Sequence, residues 1–95
     1  MIAIRSYTRD TETILAACDE ELIGRTFREG KAKLTVSKVF YCSEIVDESE
    51  LKGMMLRATS MNLVGPRTIA IAKDLGLVHG TISIEGVEHA QVVRM

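Results

Sequence analysis

Apolar and polar positions alternate through "MIAIRSY" (1–7), the period-two signature of a strand. A polar turn at Thr8 to Asp10 separates it from "TETILAAC" (11–18), which reads as a second strand antiparallel to the first. Asp19 then stands where a cap belongs for one or two helical turns, "DEELI" (19–23), with Gly24 as the stop. "TFREGK" (26–31) reads as a turn around Gly30, and "AKLTVSK" (32–38) as another alternating strand. "FYCSEIV" (40–46) is a short strand or an irregular edge segment.

The period changes after Val46. Asp47 and Glu50 have an acidic version of capping-box spacing, and Leu51, Met54, Met55, Ala58 and Met61 recur at helical intervals. The predicted helix therefore runs down to "NLVG" (62–65), which ends it. Gly53 weakens it by about 1 kcal/mol relative to alanine, so packing must hold it together. Pro66 occupies a first helical position and Gly76 a C-terminal cap. The segment between, "RTIAIAKDL" (67–75), is apolar on most sides and suits a short, deeply packed helix. "TISI" (81–84), the turn Glu85–Gly86 and "VEHAQVV" (87–93) predict a closing hairpin. These elements make an α+β fold: a largely antiparallel sheet of about five strands, a helical pair on one face and a C-terminal β-hairpin.

Ninety-five residues suit a single domain over 1–95. With 46% apolar but only 4% aromatic residues, its core must be aliphatic, with methionine filling gaps. A net charge of −1 gives no global attraction to nucleic acid or to an anionic membrane. No apolar run approaches the ~20 residues that span a bilayer, and the N-terminus lacks the apolar run of a signal peptide. The expectation is a cytoplasmic protein that keeps away from membranes, with Cys18 and Cys42 reduced.

No phosphate loop, dinucleotide fingerprint, nucleophile elbow or calcium loop is present, so no cofactor is expected. Cys18, Cys42, His79 and His89 form no locally spaced pair, and no metal site is expected. Cys18 ends the apolar series Ile14, Ala16, Cys18 and adjoins three acids, which oppose a thiolate; it reads as a core residue. Arg25, Arg28, Lys31 and Lys33 form a modest basic patch with Phe27 as a stacking ring. It suits phosphate binding, or a solvated strand whose lysines protect an edge. Gly65 and Pro66 open a helix with Arg67 in its first turn. That terminus suits a phosphate or carboxylate, or a tight helix–helix connection in which Asn62 bonds its own backbone.

The hairpin register pairs Ile84 with Val87 and Ile82 with His89. His89 and Gln91 then share a face with Ile82, Ile84 and Val87, while Thr81, Ser83, Glu88, Ala90 and Val92 take the other. A buried histidine needs partners for both nitrogens and a glutamine up to four hydrogen bonds. The pair is either a satisfied edge of the core or a place for a ligand.

The stretches "CDEELIGRTFREG" (18–30), "FY" (40–41), "NLVG" (62–65) and "GVEHAQ" (86–91) together resemble a small archaeal family known only as a domain of unknown function. Cys18, Asp19, Glu20, Phe27, Arg28, Glu29, Gly30, Asn62, Gly65, His89, Ala90 and Gln91 match its signature positions. Pro66 and Glu88 depart from it, where a charged residue and a proline are more usual. The resemblance implies an archaeal, cytoplasmic, single-domain protein and carries no catalytic roles. The expected function is a non-enzymatic binding module for RNA or a ribonucleoprotein of the translation apparatus. The alternative is a small-molecule-binding protein or enzyme with a pocket near His89 and Gln91, completed by Asn62 or Arg28. Exposed hairpin edges also allow a homodimer.

Overall fold

The computed structural model describes residues 1–94. Strands β1 (Ile2–Arg9) and β2 (Glu12–Asp19) pair antiparallel, turning at Asp10 with φ 55°. A 3-10 turn (Glu20–Leu22) leads to the ribbon β3 (Thr26–Glu29) and β4 (Ala32–Thr35), then to a four-residue helix α1 (Lys38–Tyr41) and strand β5 (Glu44–Val46). Helix α2 (Glu48–Arg57), strand β6 (Ser60–Val64), helix α3 (Pro66–Asp74) and the hairpin β7 (Ile82–Ile84) and β8 (Val87–Val93) complete the order. The main sheet has six strands, β5-β1-β2-β6-β8-β7, and β3-β4 forms a separate two-stranded sheet. Only β2 and β6 run parallel among the described strands.

The α+β class, the closing hairpin and its register stand as the sequence predicts, with Ile84 opposite Val87 and Ile82 opposite His89. The long predicted helix does not. It ends at Arg57, and "SMNLV" is β6, a strand inside the sheet. Met61 and Leu63 point to one face and Asn62 and Val64 to the other. Three apolar helical positions and the capping Ala58 happened to be followed by an apolar strand residue at the same spacing, so period alone could not separate them. "TFRE" is likewise a strand of its own rather than part of a turn.

Two cores follow from the two faces. Under α2 and α3 lie Ile2, Ile4, Leu15, Ala17, Met61 and Leu63, packed on Leu51, Met55, Ile69 and Ala72. On the opposite face Ala3, Ala16, Cys18, Val64 and Ile84 pack against Leu22, Phe27, Val36 and Tyr41, from the ribbon and its flanking turns. Asp47 caps α2 as predicted, its Oδ1 accepting the Glu50 amide at 2.8 Å. The far end of α2 is closed by a residue the sequence did not point to. Arg94 donates through one guanidinium nitrogen to the carbonyls of Met55, Leu56 and Ala58 at 3.2, 3.0 and 3.4 Å, a cation on the negative end of the helix.

Asp19 caps a helix, but not the adjacent turn. Its side chain makes no cap bond to the 3-10 turn. Its carboxylate instead crosses to α3, where Oδ2 accepts the Arg67 amide at 3.1 Å. Oδ1 accepts the Thr68 amide at 2.9 Å and the Thr68 hydroxyl at 2.8 Å. Asp19 is 1% exposed; the helix N-terminus supplies the donors that make its burial tolerable. Gly65, with φ 107°, is what lets the carboxylate approach: a Cβ there would lie 2.5 Å from Asp19 Cγ.

A polar cleft beside the hairpin

Residues Asn62, His89 and Gln91 project from the sheet face that the ribbon covers. Alternation along β6 and β8 puts them there: Asn62 is directly opposite Gln91, and Val64 opposite His89. Cross-strand neighbours of this kind hold their Cβ atoms roughly 5 Å apart. Ala90 and Val92, of opposite parity, pack under the helices. The ribbon does not extend over this corner, and a cleft of about 560 Å³ remains. Its walls are Leu34 of β4, Tyr41 of α1, Thr81 and Ile82 from the entry to β7, and the polar trio on the sheet. Two further depressions, one beside Met1 and Arg67 and one beside Thr13 and Arg57, are about 240 and 210 Å³. Only the first falls well within the size range of small-molecule sites.

The chemistry of the cleft is neutral and bifunctional. No Lys, Arg, Asp or Glu is among its lining residues. Among the described residues, no other protein group engages the Asn62 or Gln91 carboxamide. His89 Nε2 is shielded from solvent and has no hydrogen-bond partner. A buried nitrogen left without a partner costs about 1–3 kcal/mol. Burial raises the pKa of the Tyr41 hydroxyl, with Cys18 and Tyr7 adding to the shift, so it stays protonated. Next to the cleft, Thr81 donates to Glu88 at 2.6 Å with Lys73 beyond it, which together hold the Glu88 carboxyl below its usual range.

The other candidates lie elsewhere. Arg28 and Lys33 face each other across the ribbon on its exposed side, and Arg25 and Lys31 are exposed nearby. None of the four makes an ion pair among the described residues. Phe27, the expected stacking ring, faces inward and is 6% exposed, and the Arg25 guanidinium lies over the ring, 5.0 Å from its centroid. Arg67 is held by both oxygens of Glu21 and lies 3.7 Å from Asp19 Oδ2. The helix terminus it was expected to offer to an anion already holds the chain's own Asp19. Asn62 belongs to a strand and not to a helix–helix connection. Cys18 is fully buried, and that burial, with Asp19, Cys42 and Glu21 around it, pushes its thiol up to about 12.

Fold and site together define an α+β protein with a sheet covered on both faces and a neutral polar cleft at one corner. The chain belongs to the family described as "Protein of unknown function (DUF424)", which matches residues 7–95. That bears out the resemblance drawn from 18–30, 62–65 and 86–91. The chain is similar in structure to an uncharacterized conserved protein from Methanopyrus kandleri, with a TM-score of 0.77 and 19% identity over 99% of this chain and 93% of that one. At that identity the likeness is one of fold. No curated protein matches the chain. No helix among the described residues is long and apolar enough to cross a membrane.

Proposed function

We propose that this protein binds a small polar molecule in the cleft formed by Asn62, His89 and Gln91. The observation that carries the proposal is convergence. Three polar side chains from two strands meet at one cavity, and one of them keeps a buried nitrogen without a partner. Asn62 and Gln91 bring carboxamides that no other protein group among the described residues engages, so a polar ligand satisfies donors and acceptors that the fold leaves free. The lining holds no carboxylate or thiol beside His89, and the Thr81 hydroxyl is engaged by Glu88, which favours binding over turnover. Titrating isotopically labelled protein with a fragment set and following its amide resonances tests this. Shifts are expected to gather at residues 41, 62–64, 80–82 and 89–91. A screen whose hits map elsewhere, or that moves none of these amides, overturns the proposal.

A second reading, RNA binding on the ribbon, is favoured by one observation. Arg28 and Lys33 sit side by side, exposed and without acidic partners, an arrangement that suits a phosphate backbone. The inward-facing Phe27 removes the base-stacking half of the expected surface. On this reading, the pure protein retains RNA at low salt, and the double variant Arg28→Ala/Lys33→Ala loses that retention. Retention that ignores both salt and the variant would dismiss it.

A further inference from the structure

We infer that the ligand of this cleft is an uncharged planar ring with a carbonyl next to an N–H, the edge that nucleobases present. The inference rests on the cleft being a binding site and concerns what it selects. A charged ligand entering the cleft would shed hydration and find no Lys, Arg, Asp or Glu in the lining to replace it, a cost that neutral ligands avoid. Glu88, one residue from His89, belongs to the other face of β8 and is occupied by Thr81 and Lys73.

Asn62 and Gln91 are register partners on one face, and each carboxamide offers an acceptor oxygen beside two donor hydrogens. The complement of a carboxamide is a group with the same alternation, a donor next to an acceptor in one plane. A lactam edge supplies it, and either side chain can turn its amide to match. His89 lines the cleft at the neighbouring position of the face, its Nε2 turned away from solvent. Leu34 and Ile82, the latter 64% exposed, supply apolar walls for the faces of a ring. The sheet supplies Asn62, His89, Gln91 and Ile82 on one face, and Leu34 of the ribbon adds a second apolar side chain. Such a slot reads the edge of a flat molecule while its faces stay against hydrocarbon.

Four flat probes separate the outcomes when titrated into labelled full-length protein: uridine and inosine, which carry the lactam edge, benzoate as a planar anion and benzamidine as a planar cation. The lactams are expected to move the amides of residues 62–64 and 89–91, and the charged rings to bind about tenfold more weakly or not at all. Gln91→Ala, at an exposed position, should weaken the lactams about tenfold while leaving the melting temperature in place. If benzoate or benzamidine shifts the same amides as strongly as the lactams, or Gln91→Ala leaves lactam affinity unchanged, the neutral-edge inference is wrong though the site stands. If none of the four moves these amides and the fragment set fails there too, the site reading falls with it.

Discussion

At the scale of the residue, the tightest constraint lies between Asp19 and Gly65. The carboxylate satisfies two amides and a hydroxyl of α3, and the glycine leaves it the room. Gly65→Ala forces a Cβ into that carboxylate at a φ that side chains rarely adopt, and should cost about 3 kcal/mol or more in chemical denaturation. Asp19→Ala strands the same amides and should cost about 2 kcal/mol or more. Because the second change removes the atoms that the first one hits, the double variant should be more stable than the sum implies, by ~1 kcal/mol. Strict additivity would show that the two residues are not coupled. Cys18 is the second test at this scale. With its thiol pushed up to about 12, it should resist a thiol reagent at pH 8 until the chain unfolds, while the partly exposed Cys42 reacts. The linkage has a definite sign. Above the ordinary thiol range the unfolded chain ionises and the folded one does not, so stability should fall as pH climbs from about 9 to about 12. Cys18→Ala should flatten that fall, leaving the smaller part of the same sign from Tyr41. The burial of Cys18 was legible in the series Ile14, Ala16, Cys18, but the contact between Asp19 and Gly65 was not. Asp19 looks like a cap because of its neighbours Glu20 and Glu21, yet the helix it caps begins 47 residues later, and local pattern carries no information about that distance.

At the scale of the element, both hairpins of the main sheet and the Asp47 cap were legible, and of the sheet's interior strands only β6 was not. The β7–β8 register follows from a two-residue turn and parity alone, so the sequence placed His89 and Gln91 on the correct face. Strand β6 escaped because Met61 continues a helical spacing, while the evidence for a strand, its pairing with β2 and β8, is non-local. The ribbon β3–β4 is attached to the hairpin by a reciprocal clasp. Glu85 Oε1 accepts the Arg28 amide at 2.6 Å, and Glu29 Oε1 accepts the Glu85 amide at 2.9 Å. Phe27 and Leu34 pack beneath it. Both clasp carboxylates are exposed, so the clasp positions the ribbon more than it stabilises the fold. Glu85→Ala should speed hydrogen exchange at the amides of residues 26–35 several-fold through local opening. The melting temperature should shift by only a few degrees. Unchanged exchange in the ribbon would mean that its inward side chains alone hold it.

At the scale of the whole molecule, the cleft exists because the two faces of the sheet are covered unequally. Helices α2 and α3 cover one face, whereas the short ribbon covers part of the other and stops short of the β6–β8 corner. Alternation then turns Asn62, His89 and Gln91 toward the space left open. The edges β5 and β7 are three residues each, which limits the backbone pairing they can offer a second chain. The central claim is that His89 is kept for a ligand and not for the fold, and replacing it with an apolar side chain tests that claim most directly. In chemical denaturation His89→Leu should match or exceed the parent in stability, to within about 0.5 kcal/mol on the low side, because it removes a buried nitrogen that has no partner. The same variant should no longer give ligand-induced shifts at residues 62–64. A loss of about 2 kcal/mol or more with binding intact would contradict the claim and return the histidine to the architecture of the sheet.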